Sequence, residues 1–193
     1  MENVEDPMDT AIGTRLKSLR SESGLTLDAL AAQSGVSRAM ISRIERGEAS
    51  PTAQLLARLC SALGTTLSRF FAFQQDTTAS PLRRRDAQPV WRDPQTGYLR
   101  RQVSTEAGGS AIDLVEVIFP PGARVSFDRQ PADAGVTQHI WLIEGRLEMT
   151  ADGTVHAMEP GDCLFMRLCE PHAFHNPHTM PARYIVVLNR KPG

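Results

Sequence analysis

The chain is poor in cysteine and in long apolar runs, and each shortage removes a class of protein. Its three cysteines, Cys60, Cys163 and Cys169, are odd in number and share no paired spacing. They suit reduced thiols rather than a disulfide framework. Nothing approaches the roughly 18 consecutive apolar residues that a membrane helix needs. The acidic start MENVEDPMDT lacks both the basic and the apolar region of a secretory signal, so the protein is expected in the cytoplasm. No internal repeat or low-complexity tract is visible. What remains is ordinary: 193 residues, 41% hydrophobic and 22% charged, enough for one large or two small soluble domains.

Net charge is only −1, but it is unevenly spread. Residues 11–70 carry Arg15, Lys17, Arg20, Arg38, Arg43, Arg46, Arg58 and Arg69 against Glu22, Asp28, Glu45 and Glu48. Residues 76–102 add six arginines, among them the run Arg83-Arg84-Arg85, against three aspartates, whereas the chain beyond Val103 is net acidic. A polyanion is therefore drawn to the front of the molecule. For the triple arginine, an exposed linker that happens to be basic explains the run equally well.

Hydrophobic period divides the chain in two. In the first seventy residues, Ile12, Leu16 and Leu19 recur at helical spacing, and Gly24 follows as a stop. Thr26 caps LDALAAQ, Gly35 closes that helix, and Ser37 restarts the chain almost at once as the next N-cap. So short a turn predicts two steeply crossed helices, a helix-turn-helix. Ser50-Pro51-Thr52 opens a fourth helix carrying Leu55, Leu56, Leu59 and Leu63, and TLSRFF makes a last turn. In VSRAMISRIERGEASP, residues 36–51, Met40, Ile41 and Ile44 share one side of the helix. Arg38, Ala39, Ser42, Arg43 and Arg46 fill the opposite arc, which reads as three arginines and no acid.

Residues 74–89 are polar and without period, a predicted linker. Beyond it, AIDLVEVIF, QHIWLIE, RLEMT, TVHAM, CLFMR, HAFHN and RYIVVLN have strand length, and WRDPQTGYLRR reads as a hairpin in front. Many short strands with tight turns predict a sandwich or small barrel. The expected division is a helical domain over 10–73, the linker over 74–89 and an all-β domain over 90–193, an α + β multidomain protein.

With helices, turn and arginine face placed, LTLDALAAQSGVSRAMISRIERGEASP resembles the helix-turn-helix of phage-repressor (XRE-type) regulators over about residues 11–72. The resemblance implies that residues 37–46 form the recognition helix in the major groove. It places Ser37, Arg38, Ala39, Met40 and Arg43 towards base edges and leaves Thr26 and Arg46 to phosphates. An arginine fork matches the two guanine acceptors, and Ala39 or Met40 can touch a thymine methyl. Met40 also borders the apolar face and can serve the core instead. In this family an ion pair often joins the first helix to the recognition helix, and Arg20 and Glu45 fill those places.

The second half resembles a cupin, a double-stranded β-helix or jelly-roll barrel that often holds a metal, through IWLIEGRLEM and EPGDCLFMRLCEPHAFHN. Cupins bind metal through two histidines and a glutamate of a first motif and one histidine of a second. Here Gln138 stands at the glutamate place, SFDRQPADAGV has no histidine, and only His172 remains. One imidazole does not hold a transition ion, so neither metal nor cofactor is expected. Strand alternation sends His139 and His175 away from the interior.

These residues imply a DNA-binding transcriptional regulator, a repressor by family habit, without enzymatic activity. It is expected to act as a homodimer on a double-stranded DNA operator. A small-molecule effector is expected between Gln138, His172 and Asn176, with Trp141, Phe165 and Phe174 as apolar walls. Arg129, or Arg124, offers a charge for an anionic group on that effector. Two alternatives stay open at this level: a metal-dependent cupin enzyme fused to a DNA-binding domain, and an effector-independent scaffold whose barrel only dimerises.

Overall fold

In the computed structural model, which describes residues 7–71, 81–104, 110–129 and 135–189, the helical period at the front becomes five helices. They are α1 (Pro7–Glu22), α2 (Leu27–Ser34), α3 (Arg38–Glu45), α4 (Ala53–Ala62) and α5 (Leu67–Phe71). Their starts follow the capping chemistry of the sequence. The Thr26 hydroxyl accepts from the Ala29 amide at 3.1 Å, Ser37 from Met40 at 3.3 Å and Thr52 from Leu55 at 3.3 Å. Each cap satisfies a first-turn amide that has no carbonyl within its own helix, a contribution of about 1 kcal/mol. Gly35, at φ 65°, ends α2 by donating its amide to Ala31, and the left-handed conformation is open to glycine without a steric penalty. Ile12, Leu16, Leu30, Ile41, Ile44, Leu56, Leu59 and Phe70 are fully buried and form the core that all five helices share.

The chain falls into two compact units, residues 1–73 and 74–193. Residues 74–80 of the expected linker lie outside the described residues, and within its remainder Arg85–Ala87 forms a single 3-10 turn. The second unit is antiparallel throughout its described strands. They are β1 (Val90–Arg92), β2 (Leu99–Gln102), β3 (Ile112–Phe119), β4 (Arg124–Phe127), β5 (Thr137–Glu144), β6 (Leu147–Ala151), β7 (Thr154–Met158), β8 (Cys163–Arg167), β9 (His172–His175) and β10 (Ala182–Asn189). One sheet has the order β1-β2-β3-β10-β5-β8 and the other β4-β9-β6-β7.

The two sheets face each other across an aromatic core. Phe174 of β9 stacks on Tyr184 of β10 at 5.5 Å, and Phe119 lies 6.4 Å from Phe174. Alternation decides which side chains enter. In β10, Ala182, Tyr184, Val186 and Leu188 point inward, and in β5 Gln138, Ile140 and Leu142 do. β4 is a strand that the sequence period does not announce. Its four residues hold only Val125 and Phe127 as an alternating pair, too few to separate a strand from a loop, and pairing with β9 orders them. No helix among the described residues is long and apolar enough to cross a membrane.

Candidate nucleic-acid interface and barrel interior

The outer face of α3 is built on two fixed anchors. From α1, Arg20 meets Glu45 through Nε–Oε1 at 2.6 Å and Nη2–Oε2 at 2.9 Å, and its Nη1 donates to the Leu25 carbonyl at 2.9 Å. The hydrogen bond to Glu45 raises the Arg20 pKa against the opposing effect of burial. Both side chains are largely buried, so removing one leaves a buried charge without its partner, a costly arrangement. From α4, Arg58 donates Nε to the Ser34 carbonyl at 3.1 Å and Nη2 to the Gly35 carbonyl at 2.6 Å. It clamps the turn between α2 and α3. Two of the front domain's basic residues thus hold the fold; the sequence gives Arg58 only as charge, because its acceptors are backbone atoms far along the chain.

On this frame Ser37, Arg38, Ala39, Arg43 and Arg46 are exposed, and so is Thr26 at the start of α2. Met40 is half-buried beside fully buried Ile41 and Ile44, in contact with both environments. The absence of acid on this face needs correction. Arg46 forms a two-pronged pair with Glu48, Nε–Oε1 at 2.6 Å and Nη2–Oε2 at 2.7 Å, and also donates to the Ser42 hydroxyl. Its hydrogen bonds hold the Glu48 carboxyl below the usual range. Arg38 Nε lies 3.2 Å from Asp28 Oδ1. A helical projection omits both acids because they lie outside the helix. Gly47, at φ 73°, turns the chain so that Glu48 folds back on Arg46. Both pairs are exposed, and such pairs are weak enough to exchange for phosphate.

Inside the second unit, Gln138, His172, Phe174 and Asn176 are buried. Gln138 pairs with Met166 near the end of β8, and the short stretch 168–171 carries the chain to His172, so the two lie at one end of the barrel. Gln138 Nε2 donates to the Met166 sulfur at 3.1 Å. His172 Nδ1 lies 3.3 Å from the Glu170 carbonyl, and its ring stacks on Phe127 at 5.2 Å. Burial lowers the His172 pKa, more than the Glu170 contact raises it. The favoured form is neutral, with Nδ1–H donating to the carbonyl and Nε2 left as an acceptor.

The other expected wall residues do not join them. Trp141 and Phe165 are 49% and 52% exposed, on the outer face of the six-stranded sheet, because they alternate with the inward Gln138 and Met166. Asn176 is a tie within the fold: its amide donates to the Phe119 and Met180 carbonyls at 3.2 and 2.9 Å, and its Oδ1 accepts from the His178 amide at 3.1 Å. Arg124 and Arg129 are exposed. The inner wall holds instead Arg100 and Gln102, both buried, with Arg100 Nη1 donating to Gln102 Oε1 at 3.2 Å. The signal was there in LRRQ, since alternation must turn one of two adjacent arginines inward.

Comparison with known proteins accords with both halves. A helix-turn-helix domain model matches residues 11–70 and a cupin domain model residues 115–188. The chain is similar to the HTH-type transcriptional regulator SutR of Escherichia coli, 26% identical over 178 residues and 86% of each chain. It is also similar to the regulator PuuR of the same organism, 23% identical over 168 residues, 86% of this chain and 88% of that one. An HTH_3 family transcriptional regulator from Vibrio cholerae superposes with a TM-score of 0.76 at 26% identity, covering 96% of this chain and 97% of its own. The chain joins an XRE-type helix-turn-helix domain to a C-terminal cupin domain, and its relatives are transcriptional regulators.

Cupins often carry a metal, and the donors of this regulator do not fit one. Across the sheet His172 pairs with Phe127 and Ala151, and Gln138 with Met166 and Leu188. The lone imidazole is stacked on a phenyl ring, and the amide is turned to a thioether. Among the described residues no three His, Cys, Asp or Glu side chains converge, whereas the usual sites take three or more protein ligands. His139 and His175 face outward, the latter held 3.0 Å from Glu148.

Proposed function

We propose that the regulator binds double-stranded DNA as a cytoplasmic homodimer, each α3 in the major groove of one of two half-sites about 34 Å apart. The observation that carries the reading is the exposed run of Ser37, Arg38, Ala39 and Arg43 on a capped helix fixed from behind by Arg20–Glu45 and Arg58. Arg38 and Arg43 read base edges, Ala39 and Met40 meet methyl groups, and Thr26 and Arg46 hold phosphates. The barrel takes a small-molecule effector at Gln138 and His172, with Phe174 beneath. A neutral His172 favours an effector that brings a hydrogen-bond donor to Nε2. Any anionic group on it turns to the exposed Arg129. Effector binding shifts the population of DNA-competent dimers and relieves repression; a coupling of about 1–3 kcal/mol is enough. The regulator performs no catalysis in this reading, which the missing metal donors support.

The test is binding of the full chain, at fixed salt, to duplexes selected from a random pool. Arg38→Ala and Arg43→Ala are expected to cost about 1–3 kcal/mol each on the selected site and to relax its base preference, whereas Arg46→Ala weakens all duplexes alike. Uniform losses from the first two variants refute the assignment of base contacts.

A further inference from the structure

The outer face of the six-stranded sheet carries more exposed apolar surface than folding of one chain explains. Trp141, Phe165, Ile112 and Leu114 are 49, 52, 47 and 36% exposed, although strand alternation gives a sheet with a solvated face polar residues there. The strand registers make them contiguous. Phe165, His139, Val187 and Leu114 form one row across β8, β5, β10 and β3, and Cys163, Trp141, Ile185 and Glu116 the next. Monomers seldom expose a connected apolar patch of this extent.

The row of Phe165, His139, Val187 and Leu114 holds no Asp, Glu, Lys or Arg, and the face's two carboxylates are both taken up by arginines. Glu116, almost wholly buried, lies 2.8 Å from Arg183 Nε and 3.2 Å from Arg101 Nε, with Arg85 at 3.9 Å, and Arg183 also reaches Glu144 at 3.0 Å. Burial opposes ionisation of Glu116, but the Arg183 hydrogen bond and the charges of Arg183, Arg85 and Arg101 outweigh it and keep the carboxylate charged. This placement selects among partners. A nucleic acid finds no cation among Phe165, His139, Val187 and Leu114. A second copy of the same face, brought up by a two-fold axis through this row, sets apolar side chains against apolar side chains and leaves the arginines and glutamates towards a solvated rim. Size agrees: six strands about 4.8 Å apart with about 3.3 Å per residue give a projected area on the order of 600 Å². A standard interface hides roughly 800 Å² of accessible surface per partner, and a corrugated face exposes more than its projection.

We infer that this face is the dimer interface of the regulator, occupied by the same face of a second chain, with Trp141 and Phe165 as its apolar anchors. The inference rests on the homodimer reading and specifies the surface that makes it. A copy seated there also explains why two large aromatics on neighbouring strands alternate outward while the barrel interior is filled without them.

The experiment uses the full chain without DNA. Sedimentation equilibrium is expected to give twice the 21.2 kDa chain mass for the wild type. Trp141→Glu and Phe165→Glu are each expected to raise the dimer dissociation constant on the order of a hundredfold, as substitution of a buried anchor does. Cys163, exposed and opposite Trp141 in the register, gives a readout that needs no substitution. Its alkylation by iodoacetamide is expected to slow as the wild type is concentrated through the dimerisation range, while Cys169 keeps a constant rate. A monomeric wild type, variants that dimerise like the wild type, or a concentration-independent Cys163 rate each overturns the interface. Binding of the same preparations to selected duplexes is scored separately: a dimer by these measures that ignores DNA refutes the regulator's proposed action and leaves the interface standing.

Discussion

Replacing Gly13 by alanine adds one methyl group where α1 lies against the end of α3. Glycine in a helix interior is about 1 kcal/mol less favourable than alanine, so propensity alone predicts a gain. The backbone of α3 reverses that expectation. An added Cβ stands 2.3 Å from the Ile44 carbonyl oxygen and 3.1 Å from that of Glu45. Both are main-chain atoms, so no side-chain rotation relieves the overlap, and the helices must part by about 1 Å. Overpacking of this kind costs roughly 1–3 kcal/mol. The separation also pulls Glu45 from Arg20, whose charge-assisted hydrogen bonds are worth ~1.5–3 kcal/mol when intact. Set against the propensity gain, overpacking alone leaves a net loss of up to about 2 kcal/mol, or roughly 10 °C in the melting temperature of a helical unit of this length, and loosening of the ion pair adds to it. The assay is thermal denaturation of the full chain followed by far-UV circular dichroism, whose helical signal comes from α1 to α5. Because α3 moves, affinity for a selected duplex falls with stability. A Gly13→Ala protein as stable as the wild type, or more so, refutes the close packing of α1 on α3.

Two further outcomes follow from the charges. Glu48→Gln removes the carboxylate that engages Arg46 and is expected to tighten binding to all duplexes severalfold, with a steeper salt dependence, in fluorescence anisotropy; unchanged or weaker binding refutes the view that Glu48 competes with phosphate. His172 has its folded pKa lowered below the ordinary 6.5 by burial, so the unfolded chain binds the extra proton first as pH falls. Its contribution to stability is complete above about 6.5 and declines as pH drops through that value towards the folded pKa. Urea unfolding from pH 8 to pH 5.5 is expected to show this decline in the wild type and not in His172→Gln; parallel curves refute it.

Much of this is legible in the sequence, for reasons of range. Caps at Thr26, Ser37 and Thr52, the stop at Gly35 and the inward turn of Ile41 and Ile44 depend on neighbours within a few residues. The strand alternation that separates Gln138 from His139, and His172 from His175, depends on neighbours one residue away. β4 escaped because its pattern is shorter than the pattern needed to recognise it. Trp141 shares its face of β5 with His139, and Phe165 alternates with Met166, so the same alternation puts both aromatics outside the barrel.

The sequence by itself determined the helical and β halves, the cap and apolar face of α3, and the want of a histidine pair in SFDRQPADAGV, since all are properties of residue type and local period. The tertiary structure alone decided which charges are spoken for. Glu48 reaches Arg46 across a glycine turn, Arg58 clamps a turn some 23 residues away, Arg100 enters the barrel and Gly13 admits a neighbouring backbone. Coulomb and contact energies depend on distance in space, and folding brings together groups that no periodicity in the chain relates.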